Sequence, residues 1–198
     1  MGVQRGSLVP VVGGSALRHT GVPALLEALV ALMPSPVGRA RVAPLQGRGV
    51  MEGGDPVNRN PLPTDPFSAL VFKTLIDPFI GRLSYVRVYS GTLEADTAMY
   101  NSTRQVRERG GHLFSIFGKK YTPITRATAG EIVAIGKLKD TVTGDTLCDE
   151  HAPIRYPGIP FPRPVVSFAI EPKSKTDIEK VSLGLHKVIE EDPSLEFV

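Results

Sequence analysis

The stretch GKLKDTVTGDTLCDE, residues 136–150, gathers three aspartates, three threonines, a glutamate and a cysteine in one short run. Those side chains could hold a metal, share a proton or simply turn the chain. A calcium loop of the EF-hand kind needs oxygen ligands at alternate positions ahead of a glycine and a late glutamate. Here Asp140-Thr141-Val142-Thr143-Gly144 puts a valine in the middle, and the glutamate is missing. A transition-metal site needs histidine or cysteine at ligand spacing, which Cys148 and His151 do not provide. Paired carboxylates do acid–base work only in a cleft, and nothing in the pattern argues for one. Asp and Thr ahead of Gly, between two apolar runs, bond the local backbone instead. The stretch therefore reads as a structural turn.

Other candidates for chemistry weaken on inspection. Ser15 in GGSAL lacks the second glycine of a nucleophile elbow, and no acid–histidine pair accompanies it. His19 and His112 stand alone and read as surface or internally satisfied residues. Arg82 and Arg87 lie in a strand pattern and read as outward charges. Phosphate chemistry of the nucleotide-hydrolysing kind needs a G-x-x-x-x-G-K-[ST] cradle, a D-x-x-G and an N-K-x-D, and none of these occurs.

Charge is more informative. Residues 100–139 carry eight Lys/Arg against two Asp/Glu, whereas 140–198 carry six against eleven. A basic middle attracts phosphates, because each Lys/Arg–phosphate contact releases counterions. Arg104, Arg107, Arg109, Lys119, Lys120 and Arg126 make up this group. Arg104 and Arg107 fall in or near a turn, and Lys119-Lys120 follow Phe117-Gly118 at a loop tip. Cys148 is the only cysteine, so no internal disulfide forms, which fits a reducing compartment. No run of about 18 apolar residues offers a membrane span, and the apolar patch after Met1 is too short for a signal h-region.

The elements that must position these residues fall into unlike segments. In residues 22–33, Val22, Leu25, Leu26, Leu29, Leu32 and Met33 share one helical face. Thr20 or Gly21 can start that helix, Pro23 suits its first turn and Pro34 stops it. A strand-like run, Leu8 to Val12, precedes it. Residues 37–66 are rich in Pro, Gly and Arg and read as linker. Residues 67–152 alternate aromatic and β-branched residues with polar ones in short runs. In RLSYVRVYS, Ser84, Val86 and Val88 share one face, and Leu83, Tyr85, Arg87 and Tyr89 the other. Turn signals separate the runs at Asp77-Pro78, Ser90-Gly91, Gly110-Gly111, Thr122-Pro123 and Gly130, a spacing that predicts an antiparallel barrel. In residues 161–198, Val165–Ile170 predicts a strand and Thr176 with Glu179 a capping box. Ile178, Val181, Leu185 and Val188 then form a helix face, and LEFV starts another strand. Both ends look cut from something larger, each leaving an apolar helix face unpaired.

These segments together resemble bacterial translation elongation factor G. DPFIGRLSYVRVYSGTL (77–93), MYNSTRQVRERGGHL (99–113) and ATAGEIVAIGKLKDTVTGDTL (127–147) are similar to its second domain. VPVVGGSALRHTGVPALLEALVALMPSP (9–36) resembles the last strand, guanine-binding loop and final helix of its GTPase domain. PRPVVSFAIEPKSKTDIEKVSLGLHKVIEEDPSLEF (162–197) resembles the start of its third. The resemblance implies a mainly β chain: an antiparallel β-barrel of the translation-factor domain II type. An incomplete αβ unit (1–36) flanks it on one side and a partial ferredoxin-like β-α-β (161–198) on the other. It implies that Ser15, Ala16 and Leu17 form the guanine-base loop of a parent GTPase that uses GTP and magnesium. This piece would bind no cofactor and carry no catalysis. It implies a ribosomal partner, with Arg104, Arg107, Arg109, Lys119 and Lys120 facing small-subunit ribosomal RNA, alongside the parent's remaining domains and no membrane. HLFSIFGKKYTPI (112–124) departs from the family's more polar, histidine-bearing loop and points to a paralogue. A translational GTPase for ribosome protection, recycling or release control, and a free-standing RNA- or protein-binding barrel, are the other readings.

Overall fold

The computed structural model describes residues 2–42, 45–50, 54–172, 174 and 177–197. The chain forms two compact units, Met1–Leu45 and Gln46–Val198.

In the first unit the expected strand at Leu8–Val12 does not form. A strand must pair its backbone groups with a neighbour, and the described residues supply none here. Ser15 and Thr20 instead close a tight loop by exchanging backbone hydrogen bonds of 2.9 and 3.1 Å. Gly21, in the left-handed region at φ 79°, leads into helix α1 (Val22–Leu32), with Pro23 in its first turn. The apolar face predicted for this helix exists, yet Leu25, Leu26, Leu29 and Met33 all stay exposed. A second helix, α2 (Pro36–Val42), corrects the reading of a structureless linker. Ser35 caps it, its Oγ accepting the Gly38 N–H at 3.1 Å, and Pro36 occupies the first position.

The second unit opens with a further departure from the linker reading. Strands β1 (Leu45–Arg48) and β2 (Pro56–Arg59) form a two-stranded sheet. The rest of the β structure follows as β3 (Ser68–Asp77), β4 (Gly81–Ser90), β5 (Thr92–Glu94), β6 (Ala98–Asn101) and β7 (Val106–Arg109). Then come β8 (Leu113–Phe117), β9 (Lys120–Ile124), β10 (Arg126–Thr128), β11 (Ile132–Gly136) and β12 (Thr146–Cys148). Eight of these form one antiparallel sheet in the order β7-β6-β12-β3-β4-β11-β8-β9, and β5 pairs with β10.

That order cannot lie flat. β7 and β8 hold the first and seventh places but are joined by residues 110–112 alone. Four extended Cα steps reach about 14 Å, whereas six strand spacings cover about 29 Å. The sheet therefore curls back on itself. Gly111 at the crossing donates its N–H to Gly136 O at 2.9 Å. Inside lie Val71, Val86, Val88, Leu93, Leu113, Val133, Ile135 and Leu147. The predicted alternation along β4 holds, with Ser84, Val86 and Val88 inward and buried. On the outer face, Leu83, Phe114 and Ala134 are covered by Tyr85 and Tyr121. Residues 154–156 cover another part, where Ile154 and Tyr156 bury Cys148.

The turn expected at Thr122-Pro123 is not one. Both residues fall inside β9, which pairs with β8 alone and is an edge of the sheet. Proline is tolerated at an edge because its missing N–H is not needed there. Toward the C-terminus, Val165–Ile170 and Leu195–Phe197 do not form the expected strands, since no described strand lies beside them. Helix α3 (Ile178–Glu191) does form. Thr176 of the predicted capping box lies outside the described residues.

Gly91 marks the tightest backbone approach in the barrel. Its φ is 72°, and a Cβ there would sit 2.6 Å from Asp65 O and from Phe67 N and Cα. Gly91→Ala must both adopt a left-handed conformation and push the backbone apart. We expect a loss of about 2–4 kcal/mol in urea unfolding, with the denaturant slope unchanged. Wild-type stability in this variant would contradict the packing described.

Candidate functional site

The acidic stretch is a turn, held by a carboxylate distant in sequence. Glu108, on β7, is 5% exposed. Its Oε1 accepts hydrogen bonds from the N–H of Asp140 (2.7 Å) and of Thr141 (2.8 Å) and from the Thr141 hydroxyl (2.8 Å). Its Oε2 accepts the Lys139 N–H at 3.1 Å. Burial works to raise the Glu108 pKa, but these four donors outweigh it and hold the carboxyl below its ordinary value. From the other side the guanidinium of Arg82 donates to Lys139 O (2.8 Å) and Thr141 O (2.6 Å). Both polar edges of the same peptide run are thus held by charged groups. Arg82 is no outward surface charge, as its strand pattern suggested.

Asp145 completes the turn. Its Oδ2 accepts from Val142 N (2.9 Å), Asn101 Nδ2 (3.0 Å) and Arg104 Nε (2.8 Å). Asn101 is fully buried and also donates to Thr141 Oγ1 at 3.0 Å. Its Oδ1 accepts the N–H groups of Thr103 and Arg104, shaping the β6–β7 turn. Cys148, beside this network, is buried, and burial pushes its thiol up, away from nucleophilic or ligating chemistry. Among the described residues no group of three or more His, Cys, Asp or Glu could hold a metal ion.

The basic residues separate into two kinds. Arg104 is tied to buried Asp145. Arg107 grips Glu150 as a fork, with Nε–Oε1 2.8 Å and Nη2–Oε1 2.6 Å. The hydrogen bond and then the charge of Glu150 raise its pKa. Arg109 donates to Asp96 O at 3.3 Å. Lys119 and Lys120 stand at the tip of the β8–β9 hairpin and, like Arg109 and Arg126, have no carboxylate partner among the described residues. Phe117 beside them is 87% exposed, an aromatic ring at a basic tip that charge counting alone overlooks. Arg126 lies on β10, apart from this hairpin. The structure brings Arg104, Arg107 and Arg109 together on β7 and the turn before it, and keeps the lysines on a separate hairpin.

Of the loop residues near the N-terminus, Ser15 Oγ accepts the Arg18 N–H at 3.3 Å. Leu17 is 93% exposed at the tip. The N–H groups of Ala16 and Leu17 make no backbone hydrogen bond among the described residues. A cavity of about 270 Å³, lined by Val12, Gly13, Ser15, Ala16, Thr20 and Leu25 among others, lies alongside. Backbone donors at the rim of an apolar recess can contact the edge of a planar ligand.

Comparison with known proteins settles the kinship. Residues 66–150 match the family model for elongation factor G domain 2, and residues 161–198 that for elongation factor G, domain III. The chain belongs to the elongation factor G family. It is 44% identical over 193 residues to elongation factor G of Ureaplasma urealyticum serovar 10, covering 98% of this chain and 27% of that protein. It is 46% identical over 186 residues to elongation factor G of Dehalococcoides mccartyi, covering 94% of this chain and 26% of that protein. A crystal structure of a protein from Thermus thermophilus superposes with a TM-score of 0.75 at 31% identity, covering 98% of this chain and 26% of that one. The chain thus spans about a quarter of the length of these relatives. The barrel, the Glu108 turn and the basic residues all fall in the part matching elongation factor G domain 2, and α3 falls in the part matching domain III.

Glu108 gives a test of the turn. Its folded pKa lies below the ordinary 4.5, so its contribution to stability is complete above that value and is lost as pH falls through the folded pKa. Glu108→Gln sets an amide NH₂ against backbone N–H donors, and we expect a loss of about 2–3 kcal/mol at neutral pH. Chemical denaturation from pH 7 to 3 should show the gap between wild type and variant narrowing as the pH falls. A gap that stays constant would refute the role given to the charge.

Proposed function

We propose that this chain is the ribosome-docking and domain-coupling part of a cytosolic, elongation factor G-type GTPase that promotes translocation during protein synthesis. Within it, residues 1–36 are the tail of the GTPase domain, 37–66 a connecting stretch, 67–152 the second domain and 161–198 the start of the third. Kinship to elongation factor G supports the parent's use of GTP and magnesium. In this chain the free N–H groups of Ala16 and Leu17 fit an edge contact with a guanine base. The phosphate-holding and magnesium-holding sequence motifs do not occur in it. Guanine contact of this kind contributes a few kcal/mol at most. Isothermal calorimetry of this chain with GTP should register no binding at micromolar concentration, and a micromolar Kd would overturn this division of labour.

The observation that carries the docking role is the state of the cations. Among the described residues, Lys119 and Lys120 stand unpaired on a projecting hairpin beside exposed Phe117. Small-subunit ribosomal RNA is the partner proposed for them, through phosphate contacts that position without reading sequence. Arg104, Arg107 and Arg109 belong to the same basic region, but Arg104 and Arg107 already share part of their guanidinium with Asp145 and Glu150, which offsets some of their charge. In the complete factor, Lys119→Ala with Lys120→Ala should weaken ribosome pelleting several-fold at about 50 mM salt, with the deficit shrinking as salt rises. Arg107→Ala should have the smaller effect. Undiminished pelleting of the double variant at low salt would count against the hairpin.

A further inference from the structure

Helix α3 ends on two glutamates, Glu190 and Glu191, followed by Asp192, and carries no basic residue in its last turn. A helix C-terminus bears partial negative charge and favours cations. The carboxylates are placed against the helix's own preference, and two of them have partners outside the helix.

The compensation lies on the β3–β4 hairpin. Glu191 Oε1 accepts the Ile76 N–H at 2.6 Å. Glu190 Oε2 lies 3.8 Å from Arg82 Nε. Ile76 and Arg82 are direct cross-strand partners, so two successive carboxylates address the two members of one strand pair. Ile76 sits where β3 has run past β12, whose pairing with it covers only Ser68–Leu70. Its N–H therefore belongs to an open strand edge, which Glu191 closes. Arg82 already spends both Nη atoms on the carbonyls of Lys139 and Thr141. Its Nε is buried and makes no hydrogen bond. At 3.8 Å the Glu190 carboxylate is an ion-pair partner just short of hydrogen-bond range.

We propose that Glu190 and Glu191 form an electrostatic clasp that sets the orientation of α3 against the barrel. Arg82 is its fixed jaw, and the turn at 139–141 holds that jaw in place. No residue of α3 is fully buried; Val181, Leu185 and Ile189 are half-buried along one side of the helix, and the clasp adds direction to that modest apolar contact. The barrel side is rigid, because Glu108 pins the same turn from the opposite side. The joint opens at the glutamates and leaves the barrel intact. This deepens the domain-coupling role proposed above, yet it concerns contacts within this chain and is tested without a ribosome.

The test uses the full chain and reads the Ile76 amide by hydrogen exchange, together with a distance distribution between spin labels on α3 and on the barrel. Glu190→Gln with Glu191→Ala should speed Ile76 exchange about tenfold and broaden the label distribution. Urea unfolding of the barrel should be unchanged. High salt, about 1 M, should broaden the wild-type distribution in the same direction. Wild-type exchange and distances in the variant would overturn the clasp. Loss of barrel stability in the variant would overturn it too, since the glutamates would then belong to the barrel's fold and not to a movable joint. Arg82→Lys is the complementary variant. It keeps the charge but loses the fork on the two carbonyls, and should broaden the distances while weakening the turn. Failure of the ribosome-pelleting experiment leaves this result unaffected, so the two readings stand or fall separately.

Discussion

A buried carboxylate, with no salt-bridge partner among the described residues, organises this barrel. Glu108 takes four hydrogen bonds from three consecutive residues and one side chain of the loop after β11. Oriented N–H dipoles stabilise its charge in place of water. The loop in turn depends on it, because three successive amides pointing one way have no strand to receive them. From this anchor the remaining polar contacts follow. Thr141 and Val142 fall where Asn101 and Asp145 can bond them, and Asp145 is left oriented to take Arg104. Arg82 can then meet the loop carbonyls from the far side.

The position of that anchor also explains how the sheet closes. Glu108 precedes the three-residue crossing from β7 to β8 that forces the curl. Its bonds tie β7 to the loop leaving β11, while the Gly111 N–H to Gly136 O bond ties the crossing to β11 itself. Closure thus rests on polar contacts at one end of the barrel and on Val, Leu and Ile packing inside it. The apolar interior supplies most of the driving force, since burial scales with area. It does not choose which strands meet; the directional bonds at the crossing do that.

These facts separate what the chain's own pattern could reveal from what it could not. Alternation in RLSYVRVYS and the glycines at 91 and 130 are local signals, and the strands and turns they mark formed as expected. Val165–Ile170 carries an equally good local pattern and made no strand, because pairing requires a neighbour that a local pattern does not specify. Residues 37–66 depart in the opposite sense. Their Pro and Gly content suggests linker, but Ser35-Pro36 is a helix start and β1 and β2 need only each other. The role of Glu108 was illegible for a different reason. Its partners are backbone amides more than thirty residues on, and an amide carries no residue-type signal.

The same distinction governs the basic surface. Counting Lys and Arg locates a positive region but treats its members as equivalent. In the fold, Arg104 completes a buried network and Arg107 is paired with a carboxylate. An arginine so placed already aims part of its planar fork at a carboxylate, which offsets its charge and fixes its direction. A lysine at a hairpin tip gives up only water. Among the described residues, the cations of the hairpin tip are without a carboxylate, while Arg104 and Arg107 on the barrel wall are engaged with one. Arg104 ties the β6–β7 turn, shaped by Asn101, to Asp145, and Arg107 ties β7 to Glu150. The position of a charge in sequence says nothing of this. Its neighbours in space decide whether it is spent on the fold or available outside it.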